Sequence, residues 1–222
     1  GDIGQAFADA LAERARQGVK VHVLLDWVGS ARMDERLAAD MAQAGVQVQR
    51  FHPPHWSHLG THFEVQGPVV AQMQSVFIDN WIKVTGDVLH GPRYFPVLAP
   101  AGPASAQMFS SSPSGGSESM QLMILLAITA ASRSIDLSAA YFVPDPLTRQ
   151  ALADALQRGV RLRIVLPGEH IDSDTVRGAS RATWGPLLAA GATIAEYHPT
   201  MYHCKVIIVD GLLTSVGSTN FD

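Results

Sequence analysis

Apolar and polar positions alternate along this chain with two different periods, and the switches between them mark its elements. The stretch ADALAERARQGVKVHVLLD from Ala8 spaces apolar residues helically up to Gly18 and then runs into an apolar segment. That pattern predicts an amphipathic helix ended by glycine, followed by a buried strand. The stretch ADALQRGVRLRIVLPG from Ala153 repeats it. With Gly18 laid on Gly159, residues Val19, Lys20, Val21, Val23 and Leu25 fall on Val160, Arg161, Leu162, Ile164 and Leu166. A second pair follows, QAGVQVQRFHP from Gln43 and AAGATIAEYHP from Ala189, with Gly45 to Pro53 spaced identically to Gly191 to Pro199. Each copy reads helix, strand, helix, strand. That order predicts an α/β sandwich of mostly parallel strands, built by duplication.

Between the copies, Thr61 to Val65 reads as a strand. Pro68 to Thr85 reads as a helix with Val69, Met73, Val76, Phe77 and Trp81 on one face. The segment Gly86 to Pro103, rich in Gly and Pro, reads as a linker. The chain then divides into a first half, residues 1–85, a linker, 86–104, and a second half, 105–222. The run SSSPSGGSESM from Ser110 to Met120 enters another helix. Its glycines and serines could present backbone amides to a phosphate, or form a loop with Ser117 as the N-cap.

Composition narrows the class. Hydrophobic residues are 47% of the 222 and charged ones 16%, which describes a compact chain with a real core and not a disordered one. The longest apolar run, Met120 to Ala131, is too short to span a bilayer and reads as a buried helix. A net charge of -4 argues against a protein that wraps nucleic acid, because phosphate-driven binding shows as an excess of Lys and Arg. Cys204 is the sole cysteine, which excludes an intrachain disulfide and fits a reducing compartment.

The second copy continues past Pro199 as TMYHCKVIIVDGLLTSVGSTNFD. Alternation from Met201 to Val209, the Asp210-Gly211 pair and a further apolar run predict a hairpin with a two-residue turn. Such a turn sets Val209 opposite Leu212, Lys205 opposite Val216 and His203 opposite Ser218, with Asn220 one step along on the same face. His203, Lys205, Ser218 and Asn220 then cluster at the open end. Asp210 falls at the turn, roughly 23 Å from His203 at about 3.3 Å per residue, where its role is structural. An imidazole, an ammonium, a hydroxyl and an amide at one point suit a tetrahedral phosphodiester. His203 can attack phosphorus or protonate the leaving oxygen, while Lys205, Ser218 and Asn220 hold the nonbridging oxygens. The chemistry needs no metal and no cofactor.

The whole pattern, H-x-K, four residues, D, six residues, G-S-x-N, resembles the HKD motif of the phospholipase D superfamily. AYFVPD at Ala140 to Asp145, EYHPTMYHCK, GPVVAQMQ at Gly67 to Gln74 and SSPSGGSESM are similar to bacterial cardiolipin synthases. The resemblance implies a phospholipase D-like fold of two similar α/β/α halves, here incomplete. It implies a phosphatidyltransferase that moves a phosphatidyl group between phosphatidylglycerol molecules through a phosphohistidine. It gives His203 the role of general acid, and it implies a protein peripheral to the cytoplasmic face of a bacterial cell membrane.

One imidazole cannot be both attacking nucleophile and leaving-group acid in one step, so this chemistry needs two motifs. The chain holds one H-x-K. His52-Pro53 aligns with His198-Pro199, yet the sequence passes from His58-Leu59-Gly60 directly to Thr61-His62-Phe63. In the family the first hairpin lies between segments resembling HLG and THFEVQGP. A stretch is therefore expected to be absent between Gly60 and Thr61, deleted from the protein or missing from this sequence. His52, His55, His58 and His62 crowd together across that join, and they lack the paired spacing on separate elements that zinc ligands favour. The second copy also has a strand, Ser134 to Phe142, that the first copy lacks, and the chain ends where family members continue, which reads as a fragment.

Three alternatives stay open: a phospholipase with water as acceptor, a nuclease, which the acidic balance disfavours, and a noncatalytic lipid-binding relative. Tyr141, His170 and Glu196 could border the pocket, and each is equally well a loop or strand residue. Oligomeric state leaves no mark in the sequence.

Overall fold

A computed structural model of the chain describes residues 2–26, 33–51, 63–111, 117–171 and 173–221. Two compact units emerge, one from Gly1–Ser57 with Glu64–Met108, the other built on Phe109–Asp222.

In the first unit, α1 (Asp2–Arg16), β1 (His22–Asp26), α2 (Glu35–Gln43) and β2 (Gln47–Phe51) follow the repeat order, and β1 and β2 pair in parallel. The Asp34 carboxylate caps α2 by accepting from the Arg36 N–H at 2.9 Å, and the helix buries Leu37 and Met41 against Ala8 and Val46. Helix α3 (Val69–Thr85) starts at Pro68 and ends at Gly86, whose φ of 76° is the left-handed stop that glycine supplies. Its buried residues are Ile78 and Trp81, whereas Met73, expected on the apolar face, is exposed. The buried side is set by β1: Trp81 meets the His22 ring edge-on at 4.9 Å, and Tyr94 meets the same ring at 5.4 Å. The segment read as a linker thus packs on the first unit, and the Met108 N–H donates to Gln72 Oε1 at 2.8 Å.

The strand expected at Thr61 to Val65 does not form over 63–65. Phe63 and Val65 stay exposed there, with no strand partner among the described residues to bury them.

The second unit runs α4 (Ser117–Ala130), β3 (Ser134–Ala139), α5 (Pro146–Gln157), β4 (Arg161–Pro167), α6 (Asp174–Ala182), α7 (Trp184–Ala189), β5 (Thr193–Tyr197), β6 (Lys205–Val209) and β7 (Leu213–Val216). The sheet order is β5-β4-β3-β6-β7. Strands β3, β4 and β5 run parallel, and the β6–β7 hairpin joins β3 antiparallel. The fold is therefore mixed α/β, with parallel strands extended by one antiparallel hairpin. One sheet face packs Ile135, Leu137, Ile164 and Ile207 against Ile128 of α4 and Leu152 of α5, all nearly sealed from solvent.

The duplication reaches the strand register. His22 pairs with Gln47 as Arg163 pairs with Thr193, and Asp26 with Phe51 as Pro167 with Tyr197. Each pair sits the same number of residues past its glycines, Gly18 and Gly45 or Gly159 and Gly191, and the matched glycines have nearly equal φ: 86° and 84°, 95° and 98°. A left-handed turn at those points releases the chain from helix into strand in the same direction twice.

Candidate active site

The carboxyl ends of parallel strands are where open α/β sheets gather ligands. Here that edge collects the end of β3 at Ala139, the end of β4 at Pro167-Gly168 and the end of β5 at Tyr197-His198. Because β6 is antiparallel to β3, with Ala139 opposite Lys205, its start lies at the same edge.

His203 and Lys205 come together there. The Lys205 Nζ lies 3.0 Å from Nδ1 and 3.2 Å from Nε2 of His203. Lys205 is only 7% exposed and faces the sheet side that holds Ile207 and Val209. An ammonium withdrawn from water requires compensating partners, and the small Ala139 across the ladder leaves room for its stem. The Tyr141 ring meets the His203 ring edge-on at 5.7 Å and 84°, and Lys205 Nζ stands 5.8 Å from the centre of the same ring.

Tyr202 turns the other way and hydrogen-bonds Ser138 of β3 through its hydroxyl. Burial pushes its phenol above the usual tyrosine range, against the opposing pull of the Ser138 bond. Tyr197 packs on Tyr202 at 5.0 Å. Gly168 is crossed closely by the end of β5: its N–H donates to Tyr197 O at 2.9 Å, and a Cβ there would lie 2.8 Å from His198 Nδ1.

The hairpin differs from its expected form by one residue. Val209 pairs with Leu213 and Val206 with Val216, so Gly217, whose N–H donates to Lys205 O at 3.2 Å, takes the place expected for Val216. Asp210 and Gly211 both adopt positive φ, 56° and 69°, and Leu212 N–H closes the turn on Val209 O at 2.9 Å as a two-residue turn requires. Leu212 is then left over, 86% exposed, before pairing resumes. The chain bends at Gly217 and Ser218, so the ladder itself does not set Ser218 opposite His203. Ser218 is exposed. Asn220 is half-buried, with its Oδ1 enclosed and without a hydrogen-bond partner among the described residues. Next to it, Thr219 Oγ1 and Ser111 Oγ are 2.8 Å apart, which ties this turn to the segment entering α4.

Asp210 sits at the far end of the hairpin. Its carboxylate accepts from the N–H groups of Ser132, Arg133 and Ser134 at 2.7 to 2.9 Å and from the Ser132 hydroxyl at 2.8 Å. The Ser134 and Ser132 amides above all hold the carboxyl far below the usual carboxylate range.

Glu196 is engaged by Arg181 and Arg177 of α6. Burial alone would raise its carboxyl, but the guanidinium hydrogen bonds at 2.7 and 3.1 Å outweigh it and hold the group below its ordinary value. His170 stands 4.0 Å from Glu169. The four crowded histidines and residues 112–116 of the serine-glycine run lie outside the described residues. A cleft of about 350 Å³ between α1 and α2, lined by Gln5, Asp9, Arg16 and Asp40, offers no imidazole or thiol and lies in the first unit.

The family profile described as "Cardiolipin synthase, PLD-like domain" matches residues 124–222, which contain every residue of the sheet edge just described. Over its whole length the chain is 31% identical to a cardiolipin synthase of Geobacillus kaustophilus and 30% identical to one of Halalkalibacterium halodurans. This chain belongs to the phospholipase D superfamily. It spans about half the length of these curated relatives, 53% and 52%. Among solved structures, the phospholipase D family member Nuc from Salmonella typhimurium is 31% identical, covering 50% of this chain and 68% of its own, with a TM-score of 0.42. The Geobacillus alignment runs over 265 positions against the 222 residues here, so about 43 positions of that phospholipase D relative have no counterpart in this chain.

In this phospholipase D chain, Tyr141 is the neighbour of His203 and Lys205 that motif reading leaves without a role. The signal that finds it is the antiparallel β3–β6 pairing, a contact between residues 66 to 74 positions apart that no local pattern announces. No helix among the described residues is long and apolar enough to cross a membrane.

Proposed function

We propose that this protein is a phosphatidyltransferase of the cardiolipin synthase type, acting on phosphatidylglycerol at the cytoplasmic membrane surface. The observation that carries the reading is the His203–Lys205 pair, an imidazole and a buried ammonium 3.0 Å apart at the sheet edge. The likeness of the whole chain to about half of a cardiolipin synthase supports it.

In this reading an imidazole supplied by a second H-x-K segment attacks the phosphorus of phosphatidylglycerol. A P–N bond forms, the P–O bond to glycerol breaks, and His203 gives its proton to the departing glycerol oxygen. The hydroxyl of a second phosphatidylglycerol then attacks phosphorus, returns a proton to His203 and breaks the P–N bond. Lys205, Ser218 and Asn220 stabilise the charge on the nonbridging oxygens. Asp210 stays outside the reaction and fixes the hairpin.

The second imidazole comes from a stretch between Gly60 and Thr61. The roughly 43 unmatched positions of the Geobacillus relative are enough in length for such a hairpin. A second reading, a lipid-binding protein without turnover or a dimer pooling two His203 sites, is favoured by the single H-x-K of the chain as it stands.

Incubation with phosphatidylglycerol vesicles, followed by lipid mass spectrometry, tests the proposal. Cardiolipin and free glycerol are expected, and His203→Ala is expected to abolish both; undiminished cardiolipin in the variant sinks the role of His203. Reading the gene across the codons for Gly60 and Thr61 separates the two readings, because adjacent codons favour the second.

A further inference from the structure

Tyr141 lies two residues beyond the end of β3, and His203 two residues before the start of β6. The ladder between these strands pairs Ile135 with Val209, Leu137 with Ile207 and Ala139 with Lys205. The pairing ends at Ala139 and Lys205, so Tyr141 and His203 leave the sheet at the same edge and on neighbouring strands. Side-chain geometry agrees: the tyrosine and histidine rings stand edge to face at 5.7 Å and 84°. That is the arrangement in which the positive rim of one ring meets the negative face of another. The Lys205 ammonium, 3.0 Å from the imidazole, also lies 5.8 Å from the centre of the Tyr141 ring, inside the range in which a cation is attracted by an aromatic face.

One half-buried aromatic side chain thus borders both members of the pair. Lys205 has almost no access to water, so the ring substitutes for part of its lost hydration. Phe142, Val143, Pro144 and Asp145 follow at once, and Asp145 anchors the start of α5, which pins the backbone after the tyrosine.

We propose that Tyr141 is the positioning residue of this site, its ring holding the Lys205 ammonium and the His203 imidazole in mutual contact. The inference rests on the assignment of His203 and Lys205 to the active site. The ring does this work and the hydroxyl is dispensable, so phenylalanine serves in its place and leucine does not.

The test reads Lys205 first and turnover second. In the unmodified protein, the side-chain methylene protons of Lys205 nearest the ammonium are expected upfield of the range for exposed lysines in the proton NMR spectrum, shifted by the ring current. The shift persists in Tyr141→Phe and disappears in Tyr141→Leu. An ordinary Lys205 resonance in the unmodified protein overturns the proposal without recourse to any variant. With phosphatidylglycerol, Tyr141→Leu is expected to lower kcat about tenfold or more with KM within about twofold, while Tyr141→Phe keeps kcat. A phenylalanine variant as impaired as the leucine one assigns the effect to the hydroxyl and overturns the proposal. If the unmodified protein makes no cardiolipin, the functional reading falls, and the Lys205 resonance alone decides the placement of Tyr141.

Discussion

The ammonium of Lys205 and the imidazole of His203 are 3.0 Å apart although only Cys204 separates them in sequence. Lys205 opens β6 and His203 stands in the segment that enters it, so both side chains meet at the same sheet edge.

Lys205→Met separates catalysis from stability. Methionine fills the buried stem of the lysine and removes the charge. Turnover of phosphatidylglycerol is expected to fall about 100-fold or more, as when an oxyanion-stabilising group is deleted. Replacing a buried charge with a well-packed apolar side chain is often neutral or stabilising. Thermal unfolding is therefore expected to change by less than about 1 kcal/mol or to move upward, which calorimetry can measure beside the activity.

Asp210→Asn tests the far end of the hairpin. Asparagine tolerates the positive φ at this position, so the variant changes the charge and spares the turn. The folded carboxyl lies below its unfolded value, so its contribution to stability is complete above the unfolded pKa of about 4 and is lost as pH falls below it. The variant is expected to unfold at lower urea near pH 7, and the gap from the parent should narrow in acid. Parallel pH profiles with a constant gap would remove the carboxylate from the account.

The Asp145 cap gives a second acid-sensitive point. Its carboxylate accepts from the Leu147 and Thr148 N–H groups and from the Thr148 hydroxyl, and the Thr148 bond first among these lowers its pKa to about 2. Asp145→Ala is expected to cost about 1 kcal/mol at pH 7 in urea unfolding, the usual value of a lost N-cap. The difference should be present above about pH 4 and fade as pH falls toward 2.

Gly168→Ala probes the close crossing at the ends of β4 and β5. The added methyl would meet Tyr197 O at 2.9 Å and His198 Nδ1 at 2.8 Å. The imidazole can swing away, but the carbonyl belongs to the strand. A loss of about 1 to 3 kcal/mol is expected, typical of overpacking. Equal denaturation midpoints for variant and parent would mean that the ends of these strands separate freely.

Much of this arrangement can be read in the sequence, because glycine and apolar spacing act locally. Gly18, Gly45, Gly159 and Gly191 mark helix ends that the backbone realises with nearly matching φ, and of the strands after them β4 buries its apolar run at Leu162, Ile164 and Leu166. His203 and Lys205 are two residues apart in the motif, although the strand expected from Met201 begins only at Lys205. What escapes local reading depends on partners distant in the chain. The Asp-Gly pair announces a turn but not the surplus Leu212 that moves the register of β7. The face that α3 buries is chosen by His22, and the strand expected at Thr61 to Val65 lacks a neighbour over its described part. Tyr141 comes beside His203 only because β3 and β6 run in opposite directions.

The anchorage of Asp210 governs more than its own turn. Strands β3 and β6 meet mainly through aliphatic side chains, which tolerate sliding better than they specify alignment. The amides of residues 132–134 clasp one carboxylate and stop that slide. A shift by a single residue would rotate Cys204 inward and swing His203 and Lys205 to the opposite side of the sheet. The acid at one extremity of β6 thus acts as the ratchet that decides which way the imidazole at the other extremity points.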